Sequence, residues 1–215
     1  MSKKNANISD HLIIKHSLID RALHWLFAIC TLILLITGFL PILGFNFSWL
    51  FIHWFTGLVL LVLIIFHILR VIFFQKIKSM FISKEELANL IKSFLLFFTS
   101  LKILNNKSGK YSLSAKLVHH AFTLFILITI VTGILMMIKI DSPFWSSNLY
   151  YFSEELWGLI YTFHDIGALF LITLVIIHVY FGVVRIRLLR SMITGLITKD
   201  EYEKYYDKNQ WKLDD

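Results

Sequence analysis

Hydrophobic and polar positions are segregated along this chain into long blocks. Four blocks, Leu23–Leu43, Leu50–Phe74, Leu117–Ile138 and Leu159–Val184, are almost wholly apolar, and each meets the about 20 residues that an α-helix needs to cross a hydrocarbon core. They predict four transmembrane helices, the first ended by Gly38, Pro41 and Gly44. Between the second and third, SKEE at Ser83–Glu86 has capping-box spacing, and the Leu and Phe positions after it suit an amphipathic helix lying on the membrane surface. Lys92 and Lys102 interrupt that segment, so a fifth span is not expected. The reading is therefore an all-α membrane protein: one domain over residues 1–215, a four-transmembrane-helix bundle with a cytoplasmic amphipathic helix between helices two and three. Met1–Ile19 reads as a mobile or surface-lying lead-in, and residues 185–215 as a charged, Tyr-rich tail.

Composition agrees. Mean hydropathy is +0.72 and only 16% of residues are charged, against about 25% in soluble domains. The polar residues before the first block, and the lack of a small-residue cleavage site after Gly38–Pro41, argue against a removable signal peptide. The net charge of +7 changes meaning once its positions are read: of 21 Lys and Arg, four precede the first block, nine run from Arg70 near the end of the second to Lys116, seven follow the fourth, and only Lys139 lies on the other side. Such asymmetry assigns those segments, both termini among them, to the cytoplasm, and leaves nucleic-acid binding without support. The opposite loop holds Asp141, Glu154 and Glu155, with Trp145, Tyr150, Tyr151, Trp157 and Tyr161 as an expected interfacial belt.

Ionisable side chains within hydrocarbon are costly and need a partner or a task. His164 and His178, on the fourth block, are fourteen residues apart; that separation rises about 21 Å and leaves the imidazoles roughly 40° apart around the helix. With helices alternating in direction, His53 comes level with His164 near the outer surface, and His24 level with His178 near the inner one. Two His–His pairs at two depths are what bis-imidazole ligation of two b-type haems requires. Taken singly, an interhelical hydrogen bond is the competing reading for each. His67 stands fourteen residues after His53, and spacing leaves it as an alternative to His24. His119 and His120, at the cytoplasmic end of helix three, are solvated or quinone-side candidates. His11 and His16 read as loop histidines, His16 joining Asp20 and Tyr111 as proton-path candidates. Cys30 is the only cysteine, so covalent c-type haem attachment and Cys-held iron–sulfur clusters are excluded.

The segments IDRALHW, IHWFTG, GKYS, FHDIGA and IIHVYFG with GLITKDEYEKYY resemble, in order and spacing, the cytochrome b (gamma) subunit of membrane-bound formate dehydrogenase. More broadly they resemble the di-haem cytochrome b superfamily, which includes nickel–iron hydrogenase cytochrome b subunits and bacterial cytochrome b561. The resemblance implies a bacterial inner-membrane subunit of an electron-transport complex, carrying two haem b, with His53 and His164 on the outer haem and His24 and His178 on the inner. It implies iron–sulfur (beta) and catalytic (alpha) partner subunits, the former feeding the outer haem, and menaquinone reduced at the cytoplasmic side around His178, Gly109, Tyr111 and Ser112. Arg21, Gly57, Lys116 and Tyr180 follow as haem-contacting positions; Arg21, Lys110 and Lys116 suit propionates, although the positive-inside rule accounts for them equally. Ser112 and Ser114 stand where the family commonly has Asn and Gly. The alternatives are a cytochrome b subunit of a nickel–iron hydrogenase or of a thiosulfate or polysulfide reductase, a stand-alone quinol-oxidising b561-type cytochrome, and a haem-free anchor.

Overall fold

The computed structural model describes residues 11–74, 80–84, 86–88 and 107–213. Its four long helices are α1 (Leu18–Ile42), α2 (Trp49–Phe74), α3 (Leu113–Met136), which runs on through a 3-10 turn at Met137–Lys139, and α4 (Glu154–Val184). All four are long and apolar enough to cross a membrane. Few of their side chains are buried within the protein, as expected of helices whose outer faces meet lipid rather than a soluble core.

The apolar blocks set where the spans lie, and capping sets where the helices begin. α1 starts five residues before its block because Ser17 and Asp20 form a capping box, Asp20 N–H donating to Ser17 Oγ at 3.2 Å and Ser17 N–H to Asp20 Oδ2 at 3.2 Å. Asp20 also pairs with Arg70 of α2, so the two helices are clamped at this end by an ion pair. Ser112 and Ser153 cap α3 and α4 through their hydroxyls. Gly38 and Pro41, expected to break the first helix, lie inside α1. It ends at Leu43, with Phe45 N–H donating to Leu40 O, Gly44 N–H to Pro41 O, and Gly44 at φ +88°. This is a Schellman motif, and the left-handed residue is the one position there that requires glycine.

The helices pack as two hairpins, α1 with α2 and α3 with α4, which touch each other lightly and chiefly through α2 and α3. The α3–α4 seam closes around Gly167: a Cβ added there would come to 2.7 Å from Thr129 Cγ2 and 3.7 Å from Phe125 O. Small residues at such seams let helices approach where lipid gives no hydrophobic drive to associate.

The described part of the lead-in, from residue 11, folds together with the described part of the tail. β1 (Leu12–Ile14) pairs antiparallel with β2 (Leu196–Thr198), which lies between α5 (Ile186–Thr194) and α6 (Lys199–Tyr205). Ile197, Tyr202 and Tyr206 form a small core with Ile13, Tyr205 and Trp211 against it. Lys15 is buried there, its Nζ donating to Tyr206 Oη at 2.8 Å, and burial pulls its pKa down to about 8. His16 packs against Tyr111 at 6.2 Å between ring centroids. Expected as a loop histidine, it belongs to this cap.

Two further expectations change. Trp157 is 1% exposed, its indole N–H donating to Leu149 O at 3.2 Å, so it leaves the interfacial belt. The ammonium of Lys139 lies over its ring, 4.4 Å from the centroid, a cation–π contact that holds the one basic residue of that end. The amphipathic helix expected after SKEE falls mainly on residues 89–106, outside the described residues. Its capping box is formed, Ser83 N–H donating to Glu86 Oε2 at 2.9 Å and Glu86 N–H to Ser83 Oγ at 3.1 Å.

Two measurements check this packing. Gly167→Val overpacks the α3–α4 seam and should cost about 1–3 kcal/mol, lowering the thermal midpoint in detergent. Gly158→Ala, where an added Cβ meets nothing within 4 Å, should not lower it, since alanine is the better helix former. For the cap, burial first, then Lys15 and Lys110, lower the His16 pKa from 6.5 to about 4. Between those values the unfolded segment binds more protons than the folded one, so cap stability falls as pH drops through that window. Hydrogen-exchange protection factors across residues 12–16 and 196–206, corrected for the pH dependence of intrinsic exchange, should fall from pH 6.5 towards 4, and His16→Gln should flatten the dependence.

Candidate functional site

Three histidine pairs stand across the gap between the hairpins. His53 of α2 and His164 of α4 have ring centroids 6.2 Å apart. His24 of α1 and His178 of α4 are at 5.9 Å, and His67 of α2 and His119 of α3 at 6.5 Å. The first two pairs share α4, fourteen residues apart, which separates them by about 21 Å along its axis. The α1 residues beside them, His24 below and Thr37 above, are thirteen apart, or about 20 Å. Two helices from different hairpins thus set the same two levels.

The upper pair has a built surround. Thr37 Oγ1 donates to Ile33 O at 2.7 Å and lies 2.9 Å from His53 Nδ1. Thr132 Oγ1 donates to Ile128 O at 2.7 Å and lies 2.9 Å from His164 Nδ1. With each hydroxyl hydrogen on its helix carbonyl, the imidazole is the donor: Nδ1 then carries the proton, and Nε2 keeps its lone pair. The residue after each threonine is glycine, and a Cβ at Gly38 or Gly133 would come to 3.5 Å of His53 Cε1 or 3.4 Å of His164 Cε1. A Cβ at either position would make an ordinary contact with the ring. Neither threonine was singled out from the sequence, although the signal was there: ITGFL at Ile36–Leu40 and VTGIL at Val131–Leu135 are the same device on α1 and α3. The lower pair is packed by aromatics, Trp25 against His24 and Phe122 against His178.

The donor set suits an iron held between two imidazoles. A metal–imidazole bond is about 2.0–2.1 Å, and with the ring centroid roughly 1.1 Å behind its nitrogen the two centroids stand roughly 6.3 Å apart. The gaps at His53/His164 and His24/His178 are close to this, and apolar side chains surround them. Such a pair in hydrocarbon supplies two neutral nitrogen ligands and no compensating charge, the requirement for a b-type haem. Among the described residues no group of three or more His, Cys, Asp or Glu gathers as a compact metal site, so paired imidazoles are the metal chemistry available there.

The remaining candidates fall into three groups. Lys116 is buried and engaged by Glu86 at 2.8 Å and by Phe81 O at 3.1 Å, which fastens the segment after α2 to the start of α3 and leaves its ammonium committed to a carboxylate. Arg21 donates to Ile193 O and packs against Gly195, tying α1 to the cap, while its Nε is buried without a partner. Gly57 is one turn below His53 on the same face, with Leu34 Cδ2 4.0 Å from where its Cβ would be. Tyr180, two residues after His178 and so about 200° around the helix, is exposed. Gly109 abuts Gln210 and Ser112 caps α3. Tyr111 faces His16, and burial raises its pKa to about 12. These three gather at the cap, and among the described residues no ring contact or hydrogen bond joins them to His178. His67, the rival to His24, faces His119 and Phe27, its Nδ1 buried without a partner. His120 extends that cluster and contacts Met80 O at 3.2 Å.

No curated protein matches the chain. The family model of prokaryotic cytochrome b561 matches residues 15–195, a span that takes in all four long helices and every paired histidine. The chain therefore belongs to the prokaryotic cytochrome b561 family and is a bacterial multi-pass membrane protein with a haem-b electron-transfer role.

Proposed function

We propose that residues 1–215 act as one di-haem domain: the membrane subunit of a respiratory oxidoreductase, with formate dehydrogenase the enzyme its motifs favour. The observation that carries this reading is the pair of inter-hairpin histidine gaps, 6.2 and 5.9 Å, stacked along α4 at opposite ends of one membrane span. His53 with His164 and His24 with His178 are the ligand pairs. His67, whose ring faces His119 at 6.5 Å, is set aside on the family resemblance, which gives the inner haem to His24 and His178.

When bound, the two haems supply one-electron relay across the hydrocarbon. The chain's own residues do the rest. The imidazoles hold each iron from opposite hairpins, the threonines orient the upper pair, and Leu, Ile and Phe exclude water from both levels. Asp141 in the loop before α4, with Glu154 and Glu155 in the first turn of α4, offers an acidic face to an iron–sulfur subunit at the upper end. At the lower end His178, with Gly109, Tyr111 and Ser112 beside the cap, is the quinone side, where Asp20 and His16 bring protons to the quinone oxygens. Both termini lie at that end, a placement supported by the pairing of β1 with β2 and by the basic residues around it, and the positive-inside rule makes it cytoplasmic. Inward electron movement then conserves energy, about 2.3 kcal/mol per electron per 100 mV.

A reduced-minus-oxidised spectrum with haem quantification tests this. The purified protein should hold two b-type haems per chain. His164→Ala and His24→Ala should each lose one, and His67→Ala should retain both. Retention of two haems in His24→Ala with loss in His67→Ala would overturn the inner pairing. Co-purification of an iron–sulfur subunit separates the complex from a stand-alone quinol-oxidising cytochrome.

A further inference from the structure

The two histidine levels differ in how their rings are held. Both upper rings place Nδ1 2.9 Å from a buried threonine hydroxyl that lies 2.7 Å from a helix carbonyl; with the hydroxyl hydrogen on that carbonyl, Nδ1–H donates to the hydroxyl. Thr37 and Thr132 are 4% and 8% exposed, so water does not compete for these contacts. Among the described residues no hydroxyl or carbonyl accepts from His24 or His178. The hydroxyl that donates onward is polarised and becomes a stronger acceptor, and chains of this kind strengthen where the local dielectric is low. An imidazole whose distal N–H is drawn to an acceptor is a more electron-rich ligand through its other nitrogen. Electron-rich axial ligands favour the oxidised, more positively charged iron.

We infer that Thr37 and Thr132 are paired positioning residues that lower the reduction potential of the upper haem relative to the lower one, so that the structure itself biases electrons from the His53/His164 level towards the His24/His178 level. This rests on the ligation proposed above and gives its inward direction a cause in the chain's own residues. The device is duplicated: one threonine on α1 serves the ring on α2, and one on α3 serves the ring on α4. Each hairpin therefore carries both the ligand and the group that sets its tautomer.

The test is a redox titration of the detergent-solubilised holoprotein, followed by its haem absorbance. The wild type should titrate as two components, the lower-potential one being absent in His164→Ala. Thr37→Val and Thr132→Val keep the side-chain shape and remove the hydroxyl; each should shift that component upwards, the double variant further, with the other component unmoved. Thr37→Ser and Thr132→Ser should restore the wild-type midpoint. Valine variants that hold two haems at unchanged midpoints overturn the inference, as does an equal shift of both components. If Thr132→Val loses the upper haem and Thr132→Ser retains it, the hydroxyl is required to hold the ring, which supports the positioning role. Unchanged haem content in His164→Ala would instead place the failure in the ligation, so the two outcomes are separable.

Discussion

An imidazole inside hydrocarbon is tolerable only when its nitrogens are engaged, and the arrangement of these four helices follows from meeting that requirement several times. In lipid there is no water to satisfy a stray nitrogen and no hydrophobic drive to bring helices together. Within each hairpin the chain solves the problem locally, as at Thr37/His53 and Thr132/His164. Between hairpins the helices touch lightly, and the imidazole rings stand with centroids 6.2 and 5.9 Å apart, a separation that suits an iron between them. The gap is thus a consequence of building a bundle from two self-sufficient hairpins whose remaining polar groups point at each other.

The cap obeys a different rule. Below the membrane water is present, so three-residue strands and a few aromatic rings suffice to tie the start of α1 to the tail after α4. Arg21 reaches Ile193 O, Lys15 reaches Tyr206, and Gly195, at φ +83°, leaves room for the His16 carbonyl, which a Cβ would approach to 2.7 Å. Because this knot joins the ends of α1 and α4, the helices that carry His24 and His178, it stands where it can hold the lower level together. The upper level has no equivalent knot and relies on its threonines.

Most of the scaffold could be read from the residues. Four apolar blocks implied four spans, and a fourteen-residue interval on one helix implied two levels. Alternating helix direction then put His53 beside His164 and His24 beside His178, as the structure has them. The threonines escaped notice because threonine is ordinary within membrane helices, where its hydroxyl back-bonds to its own carbonyls. Only the recurrence of ITGFL and VTGIL marks them. The strand at Leu12–Ile14 was illegible because three apolar residues carry no period, and its partner lies more than 180 positions away. Trp157 reads like any interfacial tryptophan until Leu149 and Lys139 are seen around it.

What the sequence by itself determined is the number of spans, the depth of each histidine and the side on which the basic residues collect. All of these depend on one-dimensional quantities: block length, rise per residue and charge position. What only the tertiary structure decided is which ring faces which, that His67 turns to His119, and that the two upper rings are held by hydroxyls while the lower two are not. Those depend on the rotation of each helix about its axis and on seam residues such as Gly167. Rotation is set by packing between helices distant in sequence, and no local pattern encodes it.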